Sequence, residues 1–157
     1  MKKLAMVISL TAILFIAGCQ TNTAPQVALP TSGTFSATKD QIWPLLVAEV
    51  GLNYPVAAVE KDSGLLTTDF VMLPAGFNNG NMGQWVFNPG GFLATWNGLR
   101  MKMNIMVVEV SEGQTQVTIR THYEAYEDNV SKSWVVCRTN GSMENGILGR
   151  IKAQFPS

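Results

Sequence analysis

Three residues, Arg120, His122 and Glu124, have the types and spacing that acid–base chemistry needs. They alternate within a β-type stretch, which would place all three on one face of a strand. A histidine next to a carboxylate can transfer a proton, and an arginine can stabilise an anion. However, the chain has a single histidine and contains no nucleophile elbow. We interpret the three residues as a solvated strand face, and we expect no catalytic residue and no enzyme.

The acidic residues that follow, Glu124, Glu127 and Asp128, could in principle form a carboxylate pair or a calcium cluster. Their order lacks the spacing of a calcium-binding loop, so a solvated acidic turn is the better interpretation. A zinc site would need a second histidine or a second available cysteine. Cys137 lies in an apolar, strand-like run and is expected to be a buried structural thiol. The sequence thus predicts neither a metal site nor a cofactor.

The N-terminus has the organisation of a secretory signal. Lys2 and Lys3 precede an apolar run of fourteen residues, 4–17, which is followed by Gly18 and Cys19. A helix of this length reaches about 21 Å, whereas the hydrocarbon core of a bilayer is about 30 Å thick. A secretory signal is therefore favoured over a transmembrane span.

The last four residues of this leader, Ile16–Cys19, resemble the lipobox of bacterial lipoproteins. The resemblance implies cleavage after Gly18 and acyl chains on Cys19, which would hold the chain on a membrane. The alternative is an ordinary signal peptide that a cysteine happens to follow. By resemblance to bacterial sorting rules, Gln20 in place of an aspartate implies the outer membrane. The expected location is the periplasmic face of the outer membrane, with the membrane bound through the acyl chains of Cys19.

Three segments follow from this division: a signal peptide over 1–18, a flexible lipidated tether over 19–32, and a single periplasmic domain over 33–157. The tether is rich in Thr, Asn, Pro, Ala and Gln without periodicity. Beyond the leader, nine basic and eleven acidic residues remain, without clusters. That balance predicts no nucleic-acid partner, and no polybasic patch for lipid headgroups is visible.

An N-terminal helix is predicted after Thr38, which forms a capping box with Gln41. Apolar residues follow at helical spacing as far as Val50, and Gly51 suits the position just after the helix. Pro44 interrupts this pattern. The helix is therefore expected either to kink there or to have a separate first turn.

Two hairpins and a closing helix are predicted to follow. The first hairpin pairs 56–60 with 65–73, the second pairs 100–110 with 117–123, and 133–138 is either a strand or the approach to a helix. The side chains expected on one face of the first hairpin are Leu66, Thr68, Phe70 and Met72. The apolar positions of the C-terminal helix are Met143, Ile147, Ile151 and Phe155. The expected fold class is α+β, an antiparallel sheet of about four to five strands packed against an N-terminal and a C-terminal helix.

Between the hairpins, residues 75–98 are expected to form a long loop in which aromatic residues interrupt a run rich in glycine and asparagine. Loops of that length are uncommon and are usually functional or disordered. The aromatic residues either contact a protein or a sugar, or fold back over the sheet. The residues predicted to contact a partner or ligand are Trp85, Phe87, Phe92 and Trp96.

The segments Thr38–Trp43, Tyr54–Val56 and Asp62–Asp69, in this element order, resemble the helix-grip domains of BamC-like envelope lipoproteins. The chain departs from them in having one domain instead of two and in carrying the 75–98 loop. The resemblance implies a helix-grip-like fold and a non-enzymatic adaptor in cell-envelope assembly or maintenance, with an envelope protein as partner. The alternative is a ligand-binding module that holds a glycan or an apolar molecule between the sheet and a helix.

Overall fold

The computed structural model of the chain describes residues 31–73, 78, 80–91 and 93–155. These residues form seven strands, two α-helices and one short 3-10 helix. Their bounds in chain order are β1 (Thr31–Phe35), α1 (Lys39–Asn53), β2 (Val56–Glu60), β3 (Leu65–Thr68), β4 (Val71–Met72), the 3-10 helix (Met82–Gln84), β5 (Trp96–Ser111), β6 (Gln114–Glu127), β7 (Ser133–Cys137) and α2 (Ser142–Gln154). The leader and its Cys19 lie outside the described residues.

The seven strands form one antiparallel sheet with the order β1-β6-β5-β3-β2. The central hairpin, β5 and β6, is long enough for each strand to pair with two short strands in line. β7 pairs with β6 beyond β1, and β4 pairs with β5 beyond β3. The predicted number of four to five strands is therefore wrong, although the sheet is five strands wide.

Both helices pack on one face of this sheet, so the predicted α+β class is confirmed. Odd-numbered side chains from 99 to 107 in β5 and from 115 to 125 in β6 point towards the helices because alternate residues of a strand share a face. Ile105 and Ile119 from the strands are fully buried together with Leu46 of α1 and Ile147 of α2. Burial of each such side chain contributes about 1.5 to 3 kcal/mol. The core therefore lies between the sheet and the two helices.

The N-terminal helix begins as predicted, with Thr38 as its cap. The Thr38 hydroxyl accepts a hydrogen bond from the backbone N–H of Gln41, and the Gln41 side chain accepts one from the backbone N–H of Thr38. Pro44 lies inside a single helical element and is exposed. The predicted end at Gly51 is wrong, because α1 continues to Asn53 and closes with a hydrogen bond from the N–H of Tyr54.

The predicted strand 65–73 is divided into β3 and β4 by a change of register. Thr67 lies opposite Asn104 and Val71 lies opposite Met101, so four steps of chain match three steps of β5. One extra residue reverses the alternation of side chains, as a β-bulge does. The predicted common face is therefore wrong. Its side chains separate into a buried pair, Leu66 and Thr68, and an exposed pair, Phe70 and Met72.

The other face of the sheet has none of the described helices on it. We call it the open face and define it by the even-numbered residues of 100–108 and 116–126, together with Phe70 and Trp134. These side chains are exposed or half-buried. The hairpin of β5 and β6 thus presents one side to the core and the other to solvent.

Candidate functional site

The polar centre of the open face consists of two cross-strand pairs. The register of β5 and β6 places Arg100 opposite Glu124 and Lys102 opposite His122. Side chains directly opposite on one face have Cβ atoms about 5 Å apart and therefore interact. Phe70 lies over the same pairs, because the extra residue between β3 and β4 turns its side chain outwards. Two strands and one bulge therefore assemble a cluster of charged and aromatic groups.

Arg100 is the centre of this cluster. Its guanidinium carbon lies 4.6 Å from the centroid of the Phe70 ring and 4.2 Å from a ring centroid of Trp134. Such distances permit cation–π attraction to both rings. Its Nε and Nη2 atoms donate to Oε2 of Glu124 at 2.6 and 2.5 Å. Arg100 is thus fixed by three neighbours, and its charge is balanced by a carboxylate.

Glu124 also joins His122 to the cluster. The Nε2 atom of His122 lies 3.0 Å from Oε1 of Glu124, and the imidazole meets the Phe70 ring edge-on with centroids 5.8 Å apart. Partial burial raises the pKa of the Glu124 carboxyl, but the hydrogen bonds and positive charges of His122 and Arg100 outweigh this. The pKa of Glu124 therefore lies below its ordinary value, and Glu124 is an anion at neutral pH.

Two of the three acid–base candidates are brought together, and the third is not. His122 and Glu124 share a hydrogen bond, whereas Arg120 lies opposite Asn104 and is exposed. Within the part of the chain that the structure describes, neither His122 nor Glu124 bonds a hydroxyl or thiol that could act as a nucleophile. The pair holds Arg100 in place instead. The absence of enzyme activity stays a prediction.

Lys102 and Arg120 are the two unbalanced cations of the open face. The Nζ atom of Lys102 lies 4.9 Å from the centroid of the Phe70 ring, and Arg120 projects into solvent. Neither forms an ion pair with a described residue. Glu124 is the one carboxylate among the even-numbered residues of the hairpin that define this face, and Arg100 already engages it. The open face therefore carries net positive charge.

A groove of 280 Å³ lies on the open face beside Arg120. Its lining combines the apolar side chains of Leu65 and Met106 with the amide of Asn104 and the hydroxyl of Thr118. The Arg120 guanidinium supplies a positive charge at its edge. The groove can therefore seat a small group that has an anionic or hydrogen-bonding end and an apolar body.

The three predicted aromatic contact residues that the structure describes do not form one exposed surface. Trp96 begins β5 and is 4% exposed, so its ring packs in the core. Trp85 is half-buried at the edge of that core. Phe87 is 50% exposed, and the guanidinium of Arg138 lies 4.2 Å from the centroid of its ring. Phe92 lies outside the described residues.

The described part of the 75–98 loop is more regular than expected. It contains the 3-10 helix and then runs beside the connection between β7 and α2. The N–H of Phe87 donates to the carbonyl of Arg138 at 2.9 Å, and the N–H of Asn140 donates to the carbonyl of Trp85 at 3.0 Å. Backbone pairing with this connection, which no sequence period shows, gives the loop its order.

The expectation of a solvated acidic turn is wrong for Glu127. Its carboxylate is buried and accepts hydrogen bonds from four backbone N–H groups, those of Thr95, Asn129, Val130 and Ser131. The N–H groups, that of Ser131 most strongly, hold the pKa of Glu127 far below its usual range despite the cost of burial. Glu127 thus fixes the loop that joins β6 to β7 and has no free oxygen face for a cation.

Cys137 is placed as expected, at the end of β7 and buried. Burial raises the pKa of its thiol to about 11. A thiol with this pKa is almost entirely protonated at neutral pH and is therefore a poor nucleophile. The structure supports a packing role for this residue.

Within the described ranges, no three His, Cys, Asp or Glu side chains come together in a way that could hold a metal ion. In the same ranges, neither helix is long and apolar enough to cross a membrane. Comparison with known proteins gives no match to a family model, and no curated protein is significantly similar to the chain.

No sequence motif indicates the cation–aromatic cluster. The pattern places Arg100 and Lys102 on the polar side of one strand, and Arg120 and His122 on the polar side of another. The hairpin register that joins them is a possible signal, since the turn at Glu112 fixes which residues are opposite. No sequence signal placed Phe70 over them, because its position depends on an extra residue between two short strands.

Proposed function

We propose that the chain is a lipid-anchored lipoprotein on the periplasmic face of the outer membrane, and that it acts as a non-enzymatic adaptor in cell-envelope assembly or maintenance. In this proposal Cys19 carries the acyl chains and the open face binds an envelope protein. The leader supports the anchor, and the helices on one side of the sheet are compatible with a helix-grip-like domain. The main support is the open face itself, which combines unbalanced cations with aromatic rings that contact Arg100.

This surface suits binding better than catalysis. The charged groups that contact one another, Arg100, Glu124 and His122, hold a rigid arrangement and leave no activated nucleophile among themselves. Arginine and aromatic side chains are enriched among the residues that dominate protein interfaces. A rigid surface also loses little side-chain entropy when a partner binds. An adaptor needs these properties and no reacting group.

A second candidate function is a ligand-binding module for a glycan or an apolar molecule, and the 280 Å³ groove is the observation that favours it. This places the ligand on the open face instead of between the sheet and a helix, where core side chains are fully buried. Titration of tryptophan fluorescence with peptidoglycan fragments, and separately with lipids, tests it. A saturable change that is lost in Asn104→Ala supports this candidate, and no change removes it.

Site-specific photo-crosslinking in intact envelopes tests the adaptor. A benzophenone side chain replaces Gln116, which is exposed on the open face, or Ala153, which is exposed on α2. We expect a protein adduct from position 116 and none from position 153. If neither position gives a protein adduct, or both give the same one, the open face is not the adaptor surface.

A further inference from the structure

The open face has a polar half and an apolar half, and both are defined by the hairpin of β5 and β6. The cations and rings lie towards the end of the hairpin where β5 begins. Two apolar side chains continue along β5 towards the turn, two residues apart. They are Met106 and Val108, which are 39% and 44% exposed. An occupant of the whole face must therefore be charged at one end and apolar at the other.

The unbalanced cations set the sign of that charge. Lys102 lies opposite His122 and Arg120 lies opposite Asn104, so the two cations are diagonal neighbours across the hairpin. Diagonal neighbours are about 7 to 8 Å apart, and their Cβ atoms are somewhat closer. Two carboxylates that are two residues apart on a strand, or one turn apart on a helix, have similar spacing. The face is therefore complementary to a pair of carboxylates.

Arg100 is excluded from this role because Glu124 already neutralises it. The Glu124 carboxylate takes both Nε and Nη2, and two rings contact the guanidinium. Moving Arg100 towards a partner would break these contacts together. Arg100 and its three neighbours therefore form a fixed part of the surface, and Lys102 and Arg120 are the groups available to an anion.

We propose that the open face binds an acidic, amphipathic segment of a protein partner, with two carboxylates on Lys102 and Arg120 and apolar side chains along Met106 and Val108. This inference rests on the proposed adaptor function and specifies the chemistry of the partner. Both sets of contacts are on one face of the β5–β6 hairpin, so one segment that lies along the hairpin can make them together. Charge complementarity of this kind sets partner choice and association rate.

The test uses the full chain in intact envelopes, with the benzophenone side chain at position 116. The double variant Lys102→Gln/Arg120→Gln is compared with Lys61→Gln/Lys152→Gln, which removes the same charge from other surfaces. We expect the yield of the protein adduct to fall by about tenfold in the first variant, because both ion pairs with the partner are lost. The control variant is expected to keep the wild-type yield. Added salt should reduce the wild-type yield through screening.

Mass spectrometry of the adduct identifies the crosslinked segment of the partner. We expect it to contain at least two carboxylates beside apolar residues. A neutral or basic segment, or equal yields from the two double variants, would overturn the proposal and leave the proposed adaptor function intact. If the wild-type chain gives no protein adduct, or a lipid adduct alone, the open face is not the adaptor surface and the proposed function fails as well.

Discussion

Replacement of Glu124 by glutamine tests whether the cluster is held by an ionised carboxylate. The carboxylate accepts two hydrogen bonds from Arg100 and bonds His122, and its side chain is 17% exposed. Hydrogen bonds to charged groups contribute about 1.5 to 3 kcal/mol each and neutral ones about 1 kcal/mol. Glutamine keeps some of these bonds in neutral form, and solvent screens the remainder. We therefore expect Glu124→Gln to lose about 1 to 2 kcal/mol of unfolding free energy at pH 7.

The pH dependence of that loss distinguishes charge from packing. The pKa of Glu124 is lower in the folded state than in the unfolded chain. Its contribution to the unfolding free energy is therefore complete at pH values above its pKa in the unfolded chain, and is lost as the pH falls through its pKa in the folded state. Urea unfolding of wild type and variant, followed by tryptophan fluorescence, should give curves that differ at pH 7 and converge in acid. Glu112→Gln, which removes a charge from the exposed hairpin turn, is the control. A loss no larger than that of the control, or one unchanged in acid, would refute the reasoning.

Three further predictions concern the fold. Gly64→Ala should lower the unfolding free energy by more than about 2 kcal/mol, because φ is +75° there and an added Cβ would lie 2.0 Å from the carbonyl oxygen of Val107. Gly113→Ala is the control: its φ is +70° but the space around it is open, so the loss should be about 1 kcal/mol. Equal losses in urea unfolding would contradict this prediction. Tyr123→Phe should leave the unfolding free energy unchanged or raise it by about 1 kcal/mol, since the buried hydroxyl has no hydrogen-bond partner among the described residues. Thermal unfolding measures the change, and a clear loss of stability would contradict the prediction by showing that the hydroxyl is bonded. The Cys137 thiol, with a pKa of about 11, should resist iodoacetamide at pH 8 until urea unfolds the chain, and peptide mass spectrometry would detect any native labelling that contradicts this.

Local patterns were enough to predict most elements of the fold. The capping box of Thr38 marks the start of α1, because it depends on two residues that are close in sequence. The two hairpins and the C-terminal helix follow from turn residues and apolar periods. The strand count was wrong because it depends on distant pairing. A strand as long as β5 can pair with β3 and β4 one after the other along the same edge. Nothing near Arg100 in the sequence indicates that β5 pairs there with a second short strand, β4.

The candidate site was less predictable than the fold for the same reason. The predicted contact residues come from the segment with the most unusual composition, 75–98. In the structure Trp96 belongs to the core, and Phe87 is the exposed member among those described. The rings of the open face, Phe70 and Trp134, come from stretches that look like ordinary strands. Their exposure depends on a bulge and on the face that β7 presents, and neither is a local property.

The near-neutral composition of the chain conceals a positive surface because three of its carboxylates bond groups away from the open face. Glu49 pairs with Arg150 between the helices, and Glu144 is buried beside Thr139. Glu127 is enclosed by backbone N–H groups. Each of these anions is committed to structure away from the open face. In the net charge of the chain these anions offset the unbalanced cations. At physiological ionic strength, however, screening limits the interactions of exposed charges to a range of about 8 Å. A partner at the open face therefore meets its local charge, which is the reason to look for an acidic one.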